Sequence, residues 1–134
     1  MKEASPAFSP FLLDEVGRKK DDTAGPLTAE VPSHVPMLLL NDDGTIRDLT
    51  EGARRLLEHP PNATIEPLFF SHVHGQNLWR VMQDLAQMVS GGKQRARWLL
   101  RLQTGNHRWR WYRARATRIP GSSEGTVLVL LRRL

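Results

Sequence analysis

Gly91-Gly92-Lys93-Gln94-Arg95-Ala96-Arg97-Trp98-Leu99-Leu100-Arg101-Leu102 is where the apolar pattern of this chain changes period. Upstream, Leu78, Val81, Met82, Leu85, Met88 and Val89 recur at steps of three and four, which gathers them on one helix face. The spacing predicts a helix over residues 74–90, stopped by Gly91-Gly92. Downstream, Ala96, Trp98, Leu100 and Leu102 alternate with Arg95, Arg97, Leu99 and Arg101, the period of a strand with two unlike faces.

Working outward, Gly105-Asn106 supplies a turn and residues 107–119 a second long strand. Residues 120–125 turn again, and the β-branched and leucine run of residues 126–131 closes the sheet. Towards the N-terminus, the apolar run Met37 to Leu40, the turn Asn41-Asp42-Asp43-Gly44 and residues 45–49 predict a β-hairpin. Thr50 can cap a short helix over 51–58, which Pro60-Pro61 ends, and a further helical turn fits 65–70. The fold class is therefore α+β: a five-stranded antiparallel sheet with the intervening helices packed on one face.

The 134 residues suit one domain, placed at 34–134 and preceded by an extension at 1–33. Pro6, Pro10, Pro26 and Pro32 and the polar run Gly17 to Gly25 give the extension a tail-like composition. Within it Ser9 and Pro10 can open a short helix with Phe8, Phe11, Leu12 and Val16 on one side, an element that needs a surface to lie on. A largely disordered tail is the competing reading. No stretch approaches a membrane span, and the N-terminus lacks the apolar core of a secretory signal, so a cytoplasmic protein without membrane contact is expected. The chain has no cysteine, which removes disulfides, Cys-ligated metals and a cysteine nucleophile.

The net charge of +5 hides an asymmetry: residues 1–90 sum to −5, residues 91–134 to +10 with Glu124 as their one acid. A basic segment of this kind attracts nucleic acid, an acidic partner, or the acidic part of the same chain or of a second copy. By alternation Trp109, Trp111, Arg113, Arg115 and Thr117 share one face of their strand, and Arg110, Tyr112, Ala114 and Ala116 the other. The small residues and Tyr112 fit the helix-covered side, leaving tryptophan and arginine outside with Arg95, Arg97 and Arg101.

The order of elements resembles that of the PAS domain family over residues 34–134. Gly105-Asn106-His107-Arg108-Trp109 looks like the family's Gly-x-x-x-Trp at a sheet hairpin, Asp43-Gly44-Thr45-Ile46 like its first hairpin, and His74 stands where the family often begins its long helix. The chain departs from the pattern in several places. Gly75-Gln76-Asn77 replaces the usual proline and acids, and Thr50 stands where asparagine is common. Arg132-Arg133-Leu134 stands where the family usually continues through an Asp-Ile-Thr-like exit into a coiled coil, so a stand-alone module and a fragment of a longer sensor both fit these residues.

The resemblance implies a sensory and signal-transduction domain acting by protein–protein interaction, as a homodimer and with an effector or kinase-type partner, with a small-molecule ligand as an option. It places a pocket between helices and sheet, for which Leu57, Leu68, Phe69, Leu78, Met82, Leu85, Trp98, Leu100 and Tyr112 are the candidates. Simple core packing of the same residues is the stronger expectation. The interface candidates are Phe8, Phe11, Leu12, Val16, Arg97, Trp109, Trp111, Arg113 and Arg115. No cofactor is required. The cysteinyl-flavin photocycle is excluded, haem with His74 as its ligand is outweighed by a surface or capping histidine, and no metal site is expected. Nor is an enzyme: Asp42-Asp43 reads as a turn, and Ser122-Ser123 has no activating base in view. The alternative function is a nucleic-acid-binding module using the Arg/Trp side of the sheet.

Overall fold

The computed structural model of the chain describes residues 32–119 and 127–134. The expected helix through Phe8, Phe11, Leu12 and Val16, and the loop with Ser122-Ser123, lie outside the described residues.

Met37–Leu40 forms β1 and Ile46–Leu49 forms β2. Between them Gly44 N–H donates to the Asn41 carbonyl at 3.0 Å, and the Asp43 carboxylate accepts from Thr45 N–H at 3.0 Å and from its hydroxyl at 2.6 Å. Glycine is required at 44 on two counts. Its φ is +88°, and a Cβ there would stand 2.6 Å from the Phe70 ring.

α1 spans Glu51–Leu56, with Thr50 as its cap. The Thr50 hydroxyl oxygen accepts from Ala53 N–H at 3.1 Å and from Met37 N–H at 3.0 Å, and its proton goes to the Val35 carbonyl, so one side chain ties helix, strand and the preceding loop. The helix is two residues shorter than expected because Glu58, at φ +62°, reverses the chain. Glu58 N–H bonds the Arg55 carbonyl and His59 N–H the Arg54 carbonyl, each at 3.0 Å, the paired closure of a Schellman motif. The next helical turn is a 3₁₀ turn at Phe69–His72, later in the chain than the expected 65–70.

α2 spans Gly75–Val89, capped by His74, whose Nδ1 accepts from Gln76 N–H at 3.2 Å. Its buried stripe is Val81, Asp84, Leu85 and Met88. Met82, expected to face inward, is 40% exposed and Trp79 is 72% exposed. The stripe runs i, i+3, i+4, i+7 from Val81, and position 82 lies about 100° round the helix from its leading edge.

β3 (Arg95–Gln103), β4 (Trp109–Arg118) and β5 (Val127–Arg133) complete one antiparallel sheet in the order β2-β1-β5-β4-β3. The core joins the inner sides of the strands (Leu38, Leu40, Trp98, Leu100, Leu102, Tyr112, Val129) to Ala53, Phe69, Leu85 and Met88 from the helices and the 3₁₀ turn. Asp84 is the one charged residue buried with it among the described residues. Its carboxylate accepts from Trp98 Nε1 at 2.9 Å, Lys93 Nζ at 2.9 Å and Arg80 Nε at 3.3 Å, binding α2 to β3. Burial works to raise the Asp84 pKa, but the bonds from Lys93 and Trp98 outweigh it and hold it below the ordinary carboxylate value.

Candidate interaction face of the sheet

The side of the sheet turned away from α2 falls into two unlike halves. On β1 and β5, Met37, Leu39, Leu128 and Leu130 sit at adjacent register positions, Leu39 opposite Leu128 and Met37 opposite Leu130. Met37 and Leu39 are buried and the two leucines half-buried. At the edge of this half Asp48, opposite Leu39, has its carboxyl pushed up to about 8 by burial, which the Leu49 N–H bond and the nearby Arg47 charge only partly oppose.

The β3–β4 half is cationic and aromatic. Arg97 stands directly opposite Arg115, Leu99 opposite Arg113, and Arg101 opposite Trp111, while Arg113 faces Arg132 across the β4–β5 junction. Like charges in direct cross-strand positions oppose pairing. The four arginines of these two pairs are exposed, as are Trp109, Trp111 and Leu99, at 45%, 43% and 54%. The tryptophans are held in place: the Arg101 guanidinium lies 5.0 Å from the Trp111 ring centre and bonds the Gln76 side chain, and the His74 ring meets Trp109 edge-on at 4.9 Å. Where β4 begins and β5 ends, an open groove of about 520 Å³ is lined by Leu99, Trp109, Arg110, Trp111, Arg133 and Leu134.

Against solved structures the chain superposes on the PAS-B domain of Cycle from Drosophila melanogaster, with bound ethylene glycol, at a TM-score of 0.61, 11% identity, 74% of this chain and 99% of that one. The PAS domain of nitrogen regulation protein NR(II) from Vibrio parahaemolyticus gives 0.59 and 14% over 82% and 100%. A sensory box histidine kinase/response regulator from Burkholderia thailandensis gives 0.60 and 12% over 76% and 78%. The chain has a PAS fold. No family model and no curated protein sequence matches it.

Within this PAS fold the residues that carried the resemblance have physical roles. Gly105 donates its N–H to the Leu57 carbonyl at 2.8 Å, and a Cβ there would lie 2.8 Å from the Glu58 carbonyl carbon, so only glycine lets the β3–β4 hairpin close on the end of α1. The Glu58 carboxylate locks the same junction by accepting from Asn106 Nδ2 at 2.8 Å and pairing with Arg110 at 2.7 Å and Arg133 at 3.5 Å. His74 caps α2 and touches Trp109, and the His72 ring nitrogen Nε2 is 2.8 Å from the Glu66 carbonyl, so both rings have structural partners.

Of the pocket candidates, Leu57, Phe69, Leu85, Trp98, Leu100 and Tyr112 are buried in the common core, and Tyr112 spends its hydroxyl on the Leu56 carbonyl at 3.1 Å. Leu68 and Leu78 are half-buried, and Met82 points away. The interface candidates Arg97, Trp109, Trp111, Arg113 and Arg115 all come together on the outer side, and Phe8, Phe11, Leu12 and Val16 lie outside the described residues. The junction at Glu58 was not foreseen. Its one sequence signal is a charged residue two positions before Pro60-Pro61, where a helix must close.

Proposed function

We propose that this PAS fold serves as a sensory and signal-transduction domain that binds and reports without catalysis of its own, in the cytoplasm, and that it homodimerises through the outer side of its sheet. The observation that carries the reading is the block Met37, Leu39, Leu128 and Leu130, apolar at every position of a sheet face that α2 does not cover. A twofold axis near Leu128 brings two such blocks together and leaves the arginine halves of the two copies apart, so the exposed parts of Leu128 and Leu130 are covered without facing like charges. The tight inner packing of Phe69, Trp98, Leu100 and Tyr112 favours contact with a partner over ligand capture as the event that is sensed. A partner bound to one arrangement of helices and sheet better than another shifts the population towards it, and the dimer transmits the shift.

The test is sedimentation equilibrium of the full chain at high micromolar concentration and low salt, beside Leu128→Arg. The reading expects a dimer that the substitution converts to a monomer with an unchanged circular dichroism spectrum. A monomeric parent chain under those conditions refutes it.

A further inference from the structure

β3 is an edge strand, and its free side is only partly used. The Val73–Leu102 bridge lays the segment leading into α2 against the C-terminal end of the strand. There Arg101 directs both backbone groups outward: its carbonyl accepts from His74 N–H at 2.9 Å, and its N–H donates to Asn77 Oδ1 at 2.9 Å. Strand geometry repeats every second residue, so Arg95, Arg97 and Leu99 direct their N–H and C=O the same way, while the alternate residues pair with β4. Among the described residues nothing bonds the outward groups of these three. The same parity puts their side chains on the outer face, beside Arg115 and Arg113.

Among the described residues this edge has an open row of backbone donors and acceptors with a side-chain code beside it: cation, cation, apolar. A second copy of β3 does not fit it, because antiparallel self-pairing about Arg97 sets arginine against arginine. A nucleic acid offers phosphate acceptors to the N–H groups but no regular row of donors for the carbonyls, which would be left unpaired. What satisfies both is an extended polypeptide with carboxylates opposite Arg95 and Arg97 and an apolar residue opposite Leu99.

We propose that the free edge of β3 is a docking site for an acidic extended segment of a partner protein, which adds as a sixth strand, antiparallel to β3, with the pattern Leu-x-acid-x-acid. Backbone bonds supply strand addition, and the Arg95, Arg97, Arg113, Arg115 cluster selects acidic sequences and steers their approach. The Trp109 and Trp111 surface adjoins the site without forming part of it. The site does not depend on dimerisation, which uses the opposite half of the sheet.

The test titrates the full chain into fluorescein-labelled Thr-Leu-Thr-Glu-Thr-Glu-Thr and follows anisotropy, with the lysine-for-glutamate peptide and an oligothymidylate as competing probes. Two further peptides carry a single N-methyl group, one on the central glutamate amide, which faces β3, and one on the threonine beside it, which faces solvent. Expected is saturable binding of the glutamate peptide alone, weakened about tenfold by the glutamate N-methyl group, within about twofold of unchanged for the threonine one, and weakened about tenfold by Arg97→Glu in the protein. Equal responses to the two N-methyl groups, binding of the oligothymidylate in place of the peptide, or no binding of the glutamate peptide overturns the proposal. Binding to Leu128→Arg as to the parent chain separates this outcome from that of the dimer.

Discussion

Removing the Asp84 carboxylate should cost the fold more than any surface substitution, and the structure says how the cost divides. Asp84 is 4% exposed and receives three donors. The Trp98 indole N–H is buried with it, and a hydrogen bond to a charged acceptor in that setting contributes about 1.5–3 kcal/mol. Lys93, 35% exposed, adds up to about 1 kcal/mol, and Arg80, 72% exposed, adds next to nothing. Asp84→Ala should therefore destabilise by about 3 kcal/mol, and Asp84→Asn, which keeps an acceptor for the indole, by about 1 kcal/mol.

A double-mutant cycle of Asp84→Ala with Trp98→Phe, read from urea unfolding by far-ultraviolet circular dichroism, should give a coupling of about 2 kcal/mol. Because the Asp84 pKa is held down in the native state, this stabilisation is complete above the unfolded carboxylate pKa and is lost as pH falls through the native value. Asp84→Asn should shrink the acid limb of the stability profile, leaving the part that Asp43 and Glu58, whose pKa values are also lowered, contribute. A coupling below about 0.5 kcal/mol, or an acid limb of unchanged size in Asp84→Asn, would show that the buried carboxylate does not join α2 to β3 energetically.

Gly105→Ala drives a Cβ into the backbone of Glu58 and should lower stability by about 1–3 kcal/mol in thermal unfolding, whereas Gly92→Ala, whose nearest neighbour is 3.7 Å away, should change it little. Asp48 behaves oppositely to Asp84: its native pKa is raised to about 8, so the native state holds a proton that the unfolded state releases. Its contribution is complete below about pH 4 and is lost progressively as pH rises towards 8, and Asp48→Asn should raise the melting temperature at neutral pH and flatten the profile between those limits. Trp109→Ala should leave the fold intact while reducing tryptophan quenching by acrylamide, because the ring is 45% exposed; an unchanged quenching constant would place it inside.

The sheet was legible because alternation is a local signal. Once Ala96, Trp98, Leu100 and Leu102 are taken as one face, the opposite face of arginines and Leu99 follows, and the register of β3 with β4 brings the exposed residues of both strands together. Thr50, His74 and Gly44 were equally readable, since caps and turns are decided by neighbours in sequence. The face of α2 was not. An apolar pattern admits Met82 beside Val81, whereas the structure instead turns Asp84 inward, because its partners Lys93 and Trp98 arrive from nine and fourteen residues further along. The Schellman closure at Glu58 escaped for a similar reason. A glutamate in the left-handed region is locally unfavourable, and it is held by Asn106, Arg110 and Arg133, which only the folded hairpin brings near.

The outer side of the sheet as a docking surface is tested most directly by amide NMR spectra of the full chain recorded on dilution from high to low micromolar concentration. Shifts that move with concentration should cluster on Leu39, Leu128, Leu130 and their outward-facing neighbours, leaving Val81, Leu85 and Met88 of α2 unmoved. Shifts that cluster on the exposed side of α2 around Trp79, or spectra that do not change at all, would contradict the account.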